Sequence, residues 1–290
     1  MSYKVSVIIP LYNGSNFIRE TLESCRKQTY NNIEVILVDD YSSDDGFSIA
    51  KNLIDSYGKQ SKFQYIQNSS NLGINASCNR AALVAKGDCL LFLGQDDILP
   101  TDHISRMIAE FQNDLSFIYS SPDVIDESGN IIRMHNENDE RKDLSQHQLK
   151  FGMTKENMIS SPGLIMNAEK YRIVGGYSTK YKNYGEWNMW IRLLQQGNAK
   201  FCTTTHAQYR RHSSNITNTF SHKDKQKELV SYWNECRCLA MKSFDLSIIE
   251  RLEARWYYFC VNHKTVIRVK NRIQNVKAHI HRFIIRGSIK

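Results

Sequence analysis

The sequence of 290 residues has no run of about 18 apolar residues, so no part of it can cross a bilayer as a helix. It begins Met-Ser-Tyr-Lys, without an apolar h-region or a small-residue cleavage site, and no secretory leader is expected there. Its seven cysteines (25, 78, 89, 202, 236, 238 and 260) form no CxxC pair and no finger-like spacing with histidine. That odd, irregular set excludes a disulfide framework or zinc finger and points to reduced, mostly buried thiols in a cytosolic protein. GxGxxG, GxxxxGK[ST] and GxSxG are all missing, which argues against a dinucleotide fingerprint, a P-loop and a hydrolase nucleophile elbow. Internal repeats and low-complexity tracts are also lacking. Acidic residues are absent from 254–290, which holds nine Lys/Arg, whereas residues 1–253 hold 29 basic and 30 acidic residues. The net charge of +8 is therefore a property of the tail. A basic tail on a neutral body suggests a surface or a partner, and no aromatic-interleaved module favours nucleic acid.

What is present suffices for a core. Hydrophobic residues make up 41% and aromatics 11%, with an ordinary charged fraction of 23%. The length suits one large domain or two small ones. A short β-branched run at 5–9 and an apolar one at 33–38 read as buried strands, and 63–66, 89–93 and 116–120 as three further strands. Helical patterns at 15–28, 43–57, 74–85 and 101–111 separate them. Such alternation predicts βαβ units and a parallel sheet whose ligands bind beyond the carboxyl ends of the strands. Turn or acidic clusters fall at three of those ends: Pro10 to Asn13, Asp39-Asp40 and Asp96-Asp97. Beyond 121 the pattern is irregular: a hairpin at 124–132 with a Gly-Asn turn, a polar loop over 134–150, a strand at 163–166, a helix at 188–196, a strand at 200–210, and helix from 222 onward. Phosphate handling without a Gly-rich loop, next to paired carboxylates, points to a divalent cation, and oxygen ligands suit Mg²⁺ or Mn²⁺.

The order of motifs is recognisable. Val5-Ser6-Val7-Ile8-Ile9-Pro10-Leu11-Tyr12-Asn13 and Val38-Asp39-Asp40-Tyr41-Ser42-Ser43-Asp44-Asp45 resemble the opening of glycosyltransferase family 2. Asn71-Leu72-Gly73, Asn79-Arg80-Ala81 and Leu93-Gly94-Gln95-Asp96-Asp97 follow in the family's order. So do Gly185-Glu186-Trp187-Asn188-Met189-Trp190 and Tyr209-Arg210-Arg211-His212. The likeness covers about residues 3–215. It implies an α/β GT-A fold: a Rossmann-like, mostly parallel central sheet flanked by helices, here with a helical C-terminal extension.

The resemblance further implies an inverting transfer from a nucleotide-diphosphate sugar, UDP first, to a hydroxyl of a glycan or lipid-linked glycan of the bacterial O-antigen or capsule kind. Asp39 would bind the uracil N–H, since a carboxylate only accepts. Pro10 and Tyr12 would wall the base and ribose, and Asn13, Asp40, Gly73 and Arg80 would complete the nucleotide-sugar site. Asp96 would face ribose or metal, and Asp97 the metal, which neutralises the leaving diphosphate. His212 is either a further metal ligand or a structural histidine, and Arg210 either a diphosphate clamp or a solvated charge. Glu186 would be the general base, with Glu137 and Asp139 as remote alternatives. Two departures stand out: Gly94 occupies a position often held by Asp, and Gly185-Glu186 replaces the usual Glu-Asp. A silent nucleotide-sugar-binding scaffold and a nucleotidyltransferase are the rival readings.

The expected division is 1–221, with a donor half to about 120 and an acceptor half from 121, followed by an extension over 222–290. Val266, Val269, Ile273, Val276, Ile280 and Phe283 form a helical apolar stripe among basic residues. Such a helix could lie on an anionic membrane through 264–290, or pack on its own body or a second subunit. A cytoplasmic enzyme, peripheral on the inner face of the membrane, is the expectation.

Overall fold

The computed structural model describes residues 3–58, 62–180, 185–215 and 223–262. The first half follows the expected alternation: β1 (Val5–Leu11), α1 (Ile18–Arg26), β2 (Ile33–Asp39), α2 (Gly46–Ser56), β3 (Phe63–Gln67), α3 (Ile74–Val84), β4 (Cys89–Phe92), α4 (His103–Glu110) and β5 (Leu115–Tyr119). The second half adds β6 (Asp123–Ile125), β7 (Ile131–Arg133), α5 (Gln146–Met153), β8 (Ile165–Asn167), α6 (Ala168–Ile173), α7 (Glu186–Leu193), β9 (Asn198–Phe201), β10 (Gln208–Arg210), α8 (Lys223–Ser243) and α9 (Ile248–Asn262).

A seven-stranded sheet in the order β3-β2-β1-β4-β8-β5-β9 forms the centre. Its ladders are parallel except at β8, which runs antiparallel to both β4 and β5. Apolar composition suits β1, β2, β4 and β5 to burial, because helices cover both faces of the sheet. Alternation along β1 divides the core. Val5, Val7, Ile9 and Leu11 point to one side with Leu22 of α1, Ile54 of α2 and Ile104 of α4. Ile8 points to the other with Ala81 of α3, Trp190 of α7 and Tyr232, Cys236 and Ala240 of α8. The first helix of the C-terminal extension thus shares the core of the sheet.

Two expectations are corrected, and one element was not foreseen. The strand expected over 200–210 is two, β9 in the main sheet and β10 in a small sheet ordered β10-β6-β7. The polar stretch over 134–150 contains a 3₁₀ turn (Glu140–Asp143) and α5, which starts at a capping box between Ser145 and Gln148. Helix α6 follows β8 directly, with Asn167 capping it through the Lys170 N–H. The expected hairpin is present as β6 and β7, turned by the Asp126 carboxylate on the Ser128 and Asn130 N–H groups and by Gly129 at φ 84°. The expected tail stripe from Val266 to Phe283 lies outside the described residues.

Candidate active site

Parallel pairing brings the carboxyl ends of β1, β2 and β4 to one edge of the sheet. There the chain opens a cleft of about 850 Å³, lined by Pro10, Tyr12, Asn13, Asp40, Gly73, Asp96, Asp97, Glu186 and His212 among others. Of the expected residues, Asp39, Arg80 and Arg210 are absent from this lining.

The loops at the edge are tied to one another. Asn13, at φ 51°, takes a left-handed conformation that asparagine tolerates, and its Oδ1 accepts the Ser43 N–H at 2.8 Å. The Gln95 side chain pairs with the Tyr12 backbone, accepting its N–H at 2.7 Å and donating to its carbonyl at 3.1 Å. Thr21 Oγ1 of α1 is within hydrogen-bond reach of the carbonyls of Gln95 (2.8 Å) and Asp97 (3.0 Å). The roles of Gln95 and Thr21 were not foreseen from sequence, because nothing in their local pattern signals contacts across 70 or more residues.

Asp39 is fully buried, and its carboxylate accepts from Ser42 Oγ (2.6 Å), Ser42 N (3.2 Å) and Gln67 Nε2 (3.0 Å). Arg80, exposed, donates to the Gln67 carbonyl at 2.8 Å and to Asn68 Oδ1. Asp40 accepts from Leu72 N (2.7 Å), Gly73 N (2.8 Å) and Asn68 Nδ2 (2.8 Å), placing a negative charge at the start of α3. Gly73, at φ 88°, makes the turn that directs these N–H groups at one carboxylate.

Asp96 and Asp97 follow β4 at a bend whose next residue, Ile98, bridges to Gln208 of β10. That bridge brings Arg210 beneath the pair. The Arg210 side chain is 0% exposed and its donors are directed inward. Nε reaches the Asp96 carbonyl (2.9 Å), Nη1 the carbonyls of Asp126 (3.2 Å) and Glu127 (3.0 Å), and Nη2 the Glu20 carboxylate (2.6 Å). Its backbone N–H donates to Asp97 Oδ1 at 3.1 Å, and the guanidinium sits 4.9 Å from the Phe17 ring centre. Geometry thus makes Arg210 a brace among four segments rather than a surface charge.

His212 Nε2 lies 2.8 Å from Asp96 Oδ2, while its Nδ1 meets Ser214 Oγ at 2.8 Å. Asn215 Nδ2, also unforeseen from sequence, donates to the same Asp96 oxygen at 3.2 Å. Burial first, then the neighbouring Asp96 charge, pushes the Asp97 carboxyl well above the usual carboxylate range. Two adjacent carboxylates repel one another, and a cation bound by both would offset that repulsion. A Cβ added to Gly94 would stand 2.8 Å from Asp97 Oδ2 and 2.9 Å from Asp96 Oδ1. Glycine at 94 therefore leaves both carboxylates their room. Among the described residues, no three His, Cys, Asp or Glu side chains form a closed metal cage. Two carboxylates plus donor phosphates is the arrangement that Mg²⁺ commonly uses, and the acid pair fits it.

Glu186 is the first residue of α7 and opens to the cleft. The protein packed around it raises its carboxyl above the ordinary range, and a hydrogen bond with Ser161 opposes that rise. Asp139 is otherwise engaged. Burial would push it up, but Arg141 and Ser121 outweigh this and hold it at about 2. Glu137 is exposed and outside the cleft lining.

The family model for glycosyl transferase family 2 matches residues 6–175, more than half of the chain. The chain belongs to glycosyl transferase family 2. Its match with the Escherichia coli UDP-Glc:alpha-D-GlcNAc-diphosphoundecaprenol beta-1,3-glucosyltransferase WfaP is 27% identical, covering 88% of this chain and 92% of that protein. An uncharacterized Rickettsia felis glycosyltransferase is 27% identical over 66% of this chain, which spans only 31% of that relative's length. In fold, this family 2 member is similar to S. aureus TarS solved with UDP-GlcNAc, with a TM-score of 0.66, 16% identity and coverage of 88% and 70% of the two chains. It is also similar to the Pyrobaculum calidifontis mannosyltransferase PcManGT in complex with GDP-Man and Mn²⁺, with a TM-score of 0.60, 13% identity and coverage of 95% and 85%. The GT-A fold and family expected from the motifs are thereby established.

Proposed function

We propose that the protein is an inverting glycosyltransferase that moves a sugar from a nucleotide-diphosphate donor, UDP-linked, to a hydroxyl of a lipid-linked glycan. The observation that carries this reading is one cleft holding an acid pair, buried Asp97 beside half-buried Asp96, and a separate acid, Glu186, that opens to the same cleft. Glu186 takes the proton of the acceptor hydroxyl as its oxygen bonds to the anomeric carbon. The bond from that carbon to the diphosphate breaks in the same displacement, which inverts the centre and needs no enzyme nucleophile. Asp96 and Asp97 would hold Mg²⁺ or Mn²⁺, which supplies charge neutralisation at the leaving diphosphate. Pro10 and Tyr12 contact the nucleoside, while Asp39, Asp40, Gly73, Asn13 and Arg80 shape the loops that receive it. His212 orients Asp96, one of the two acids that would hold the metal.

The named E. coli relative supports a UDP-sugar donor and a diphospholipid-linked acceptor. Membrane association has two supports. Residues 263–290 carry eight Lys/Arg and no acid. Just before them, α9 leaves Ile248 (78%), Ile249 (76%), Leu252 (59%) and Trp256 (53%) exposed. At 3.6 residues per turn, all four fall within an arc of about 100°. An apolar helix face continued by positive charge matches an anionic leaflet at the cytoplasmic side.

The test is calorimetry of UDP binding with and without Mn²⁺ or Mg²⁺, followed by a panel of nucleotide sugars. Binding of UDP that ignores the metal, or no consumption of any nucleotide sugar, would overturn the reading.

A further inference from the structure

Helix α8 lies beyond residues 6–175, yet it enters the cleft. Leu229, Tyr232 and Trp233, at i, i+3 and i+4, share one face of the helix and line the cleft with Asp97 and Glu186. Leu229 and Tyr232 are buried, whereas Trp233 keeps 37% of its surface accessible. An indole left open in a cleft otherwise built for a polar ligand is apolar surface waiting for a partner.

The position of that indole is fixed. The Tyr232 hydroxyl accepts the N–H of Asn188 at 3.1 Å, two residues after Glu186. One turn on, Arg237 Nε donates to the Lys155 carbonyl at 2.9 Å, and its guanidinium lies 5.5 Å from the Trp187 ring centre. Cys236 between them is fully buried in the core. These contacts on either side of Trp233 hold α8 in register with α7, the helix that begins with Glu186.

An acceptor must bring its hydroxyl to Glu186, so it occupies the part of the cleft that α7 and α8 build. A pyranose ring has an apolar C–H face and a rim of hydroxyls. The cleft offers a matching pair of surfaces: the Trp233 indole for the face, and Asn157 and Ser161 as polar groups for the rim. We propose that Trp233 is the stacking platform for the acceptor's sugar ring, and that α8 selects the acceptor. The inference rests on reading the cleft as a glycosyl-transfer site.

The experiment is steady-state kinetics of the full chain with its preferred nucleotide sugar. The acceptors are α-D-GlcNAc-diphosphoundecaprenol and methyl glycosides of glucose, galactose, GlcNAc and GalNAc. W233A should raise the acceptor KM about tenfold, the loss of one aromatic contact, with UDP affinity in Mn²⁺ unmoved. W233F keeps a ring and should stay within about threefold of wild type, which separates stacking from a folding defect. An acceptor KM within about twofold of wild type in W233A, or a donor KM that rises in parallel, would overturn the proposal. If the wild type transfers to no acceptor, the glycosyl-transfer reading fails and this inference falls with it. An active wild type with an unmoved W233A defeats the inference alone.

Discussion

Substitution of Arg210 separates two roles that the sequence left open. As a diphosphate clamp, its removal would weaken donor binding and leave the fold intact. As the brace seen in the structure, its removal takes a donor from the carbonyls of Asp96 and Glu127, leaves that of Asp126 with the Gly129 N–H alone, and opens a void in a site that is 0% exposed. The ion pair itself counts for little, because the Glu20 side chain is 54% exposed and well screened. Loss of the buried hydrogen bonds costs about 3 kcal/mol. At roughly 2–4 °C per kcal/mol, R210A should lower the Tm by roughly 6–12 °C. R210K keeps the charge but not the planar fork and should fall between R210A and wild type. Differential scanning fluorimetry, paired with calorimetry of UDP and Mn²⁺, reads both quantities. A Tm within about 2 °C of wild type together with more than tenfold weaker UDP binding would refute the brace.

Glu186→Gln should lower kcat by about 10²–10⁴-fold with donor binding retained. A base works deprotonated, so its raised pKa puts the acid limb of kcat/KM above the ordinary glutamate range, with activity lost as pH falls through it. S161A removes a hydrogen bond that lowers this pKa and should move the limb to still higher pH, as a pH–rate profile will report. D97N preserves an acceptor for the Arg210 N–H but not the charge, and should abolish the Mn²⁺ dependence of UDP binding in calorimetry. D40A removes the acceptor for Leu72 N and Gly73 N and should cost about 1–2 kcal/mol, visible in urea unfolding. Truncation after Asn262 should abolish salt-sensitive sedimentation with anionic liposomes while UDP binding persists; each Lys or Arg near such a surface contributes about 1 kcal/mol.

The parallel strands and their acidic turns were legible because period and composition are local. Five short strand-like runs separated by helical patterns leave little choice of architecture. Residues 121–222 were opaque because their strands are three or four residues long and owe their existence to distant partners. Continuous periodicity over 200–210 concealed the crossing from one sheet to another at Cys202, whose N–H still pairs with Tyr119. The Ser145-x-x-Gln148 capping box was a readable signal for α5 hidden in a polar stretch. At the site, the acids and Glu186 could be found from motif order. The support of Asp96 by His212 and Asn215, and of Arg210 by Glu20, could not, since the last pair lies 190 positions apart.

The antiparallel insertion of β8 has a consequence for the order of assembly. β1 through β4 pair only with one another and with β8, so the nucleoside-facing half of the sheet can form from contacts among the first 92 residues. β5 cannot join it until residues 165–167 have been made, because β8 lies between β4 and β5. The turn carrying Asp96 and Asp97 stays unlatched longer still, awaiting Gln208 and Arg210. During synthesis at about 5–20 residues per second, this leaves an interval of several seconds with a half-built sheet and an exposed edge at β4. Metal-dependent donor binding would then be acquired last, in a step distinct from the collapse of the amino-terminal half. A nascent chain arrested before residue 208 is accordingly expected to protect β1 to β4 from proteolysis while failing to retain UDP.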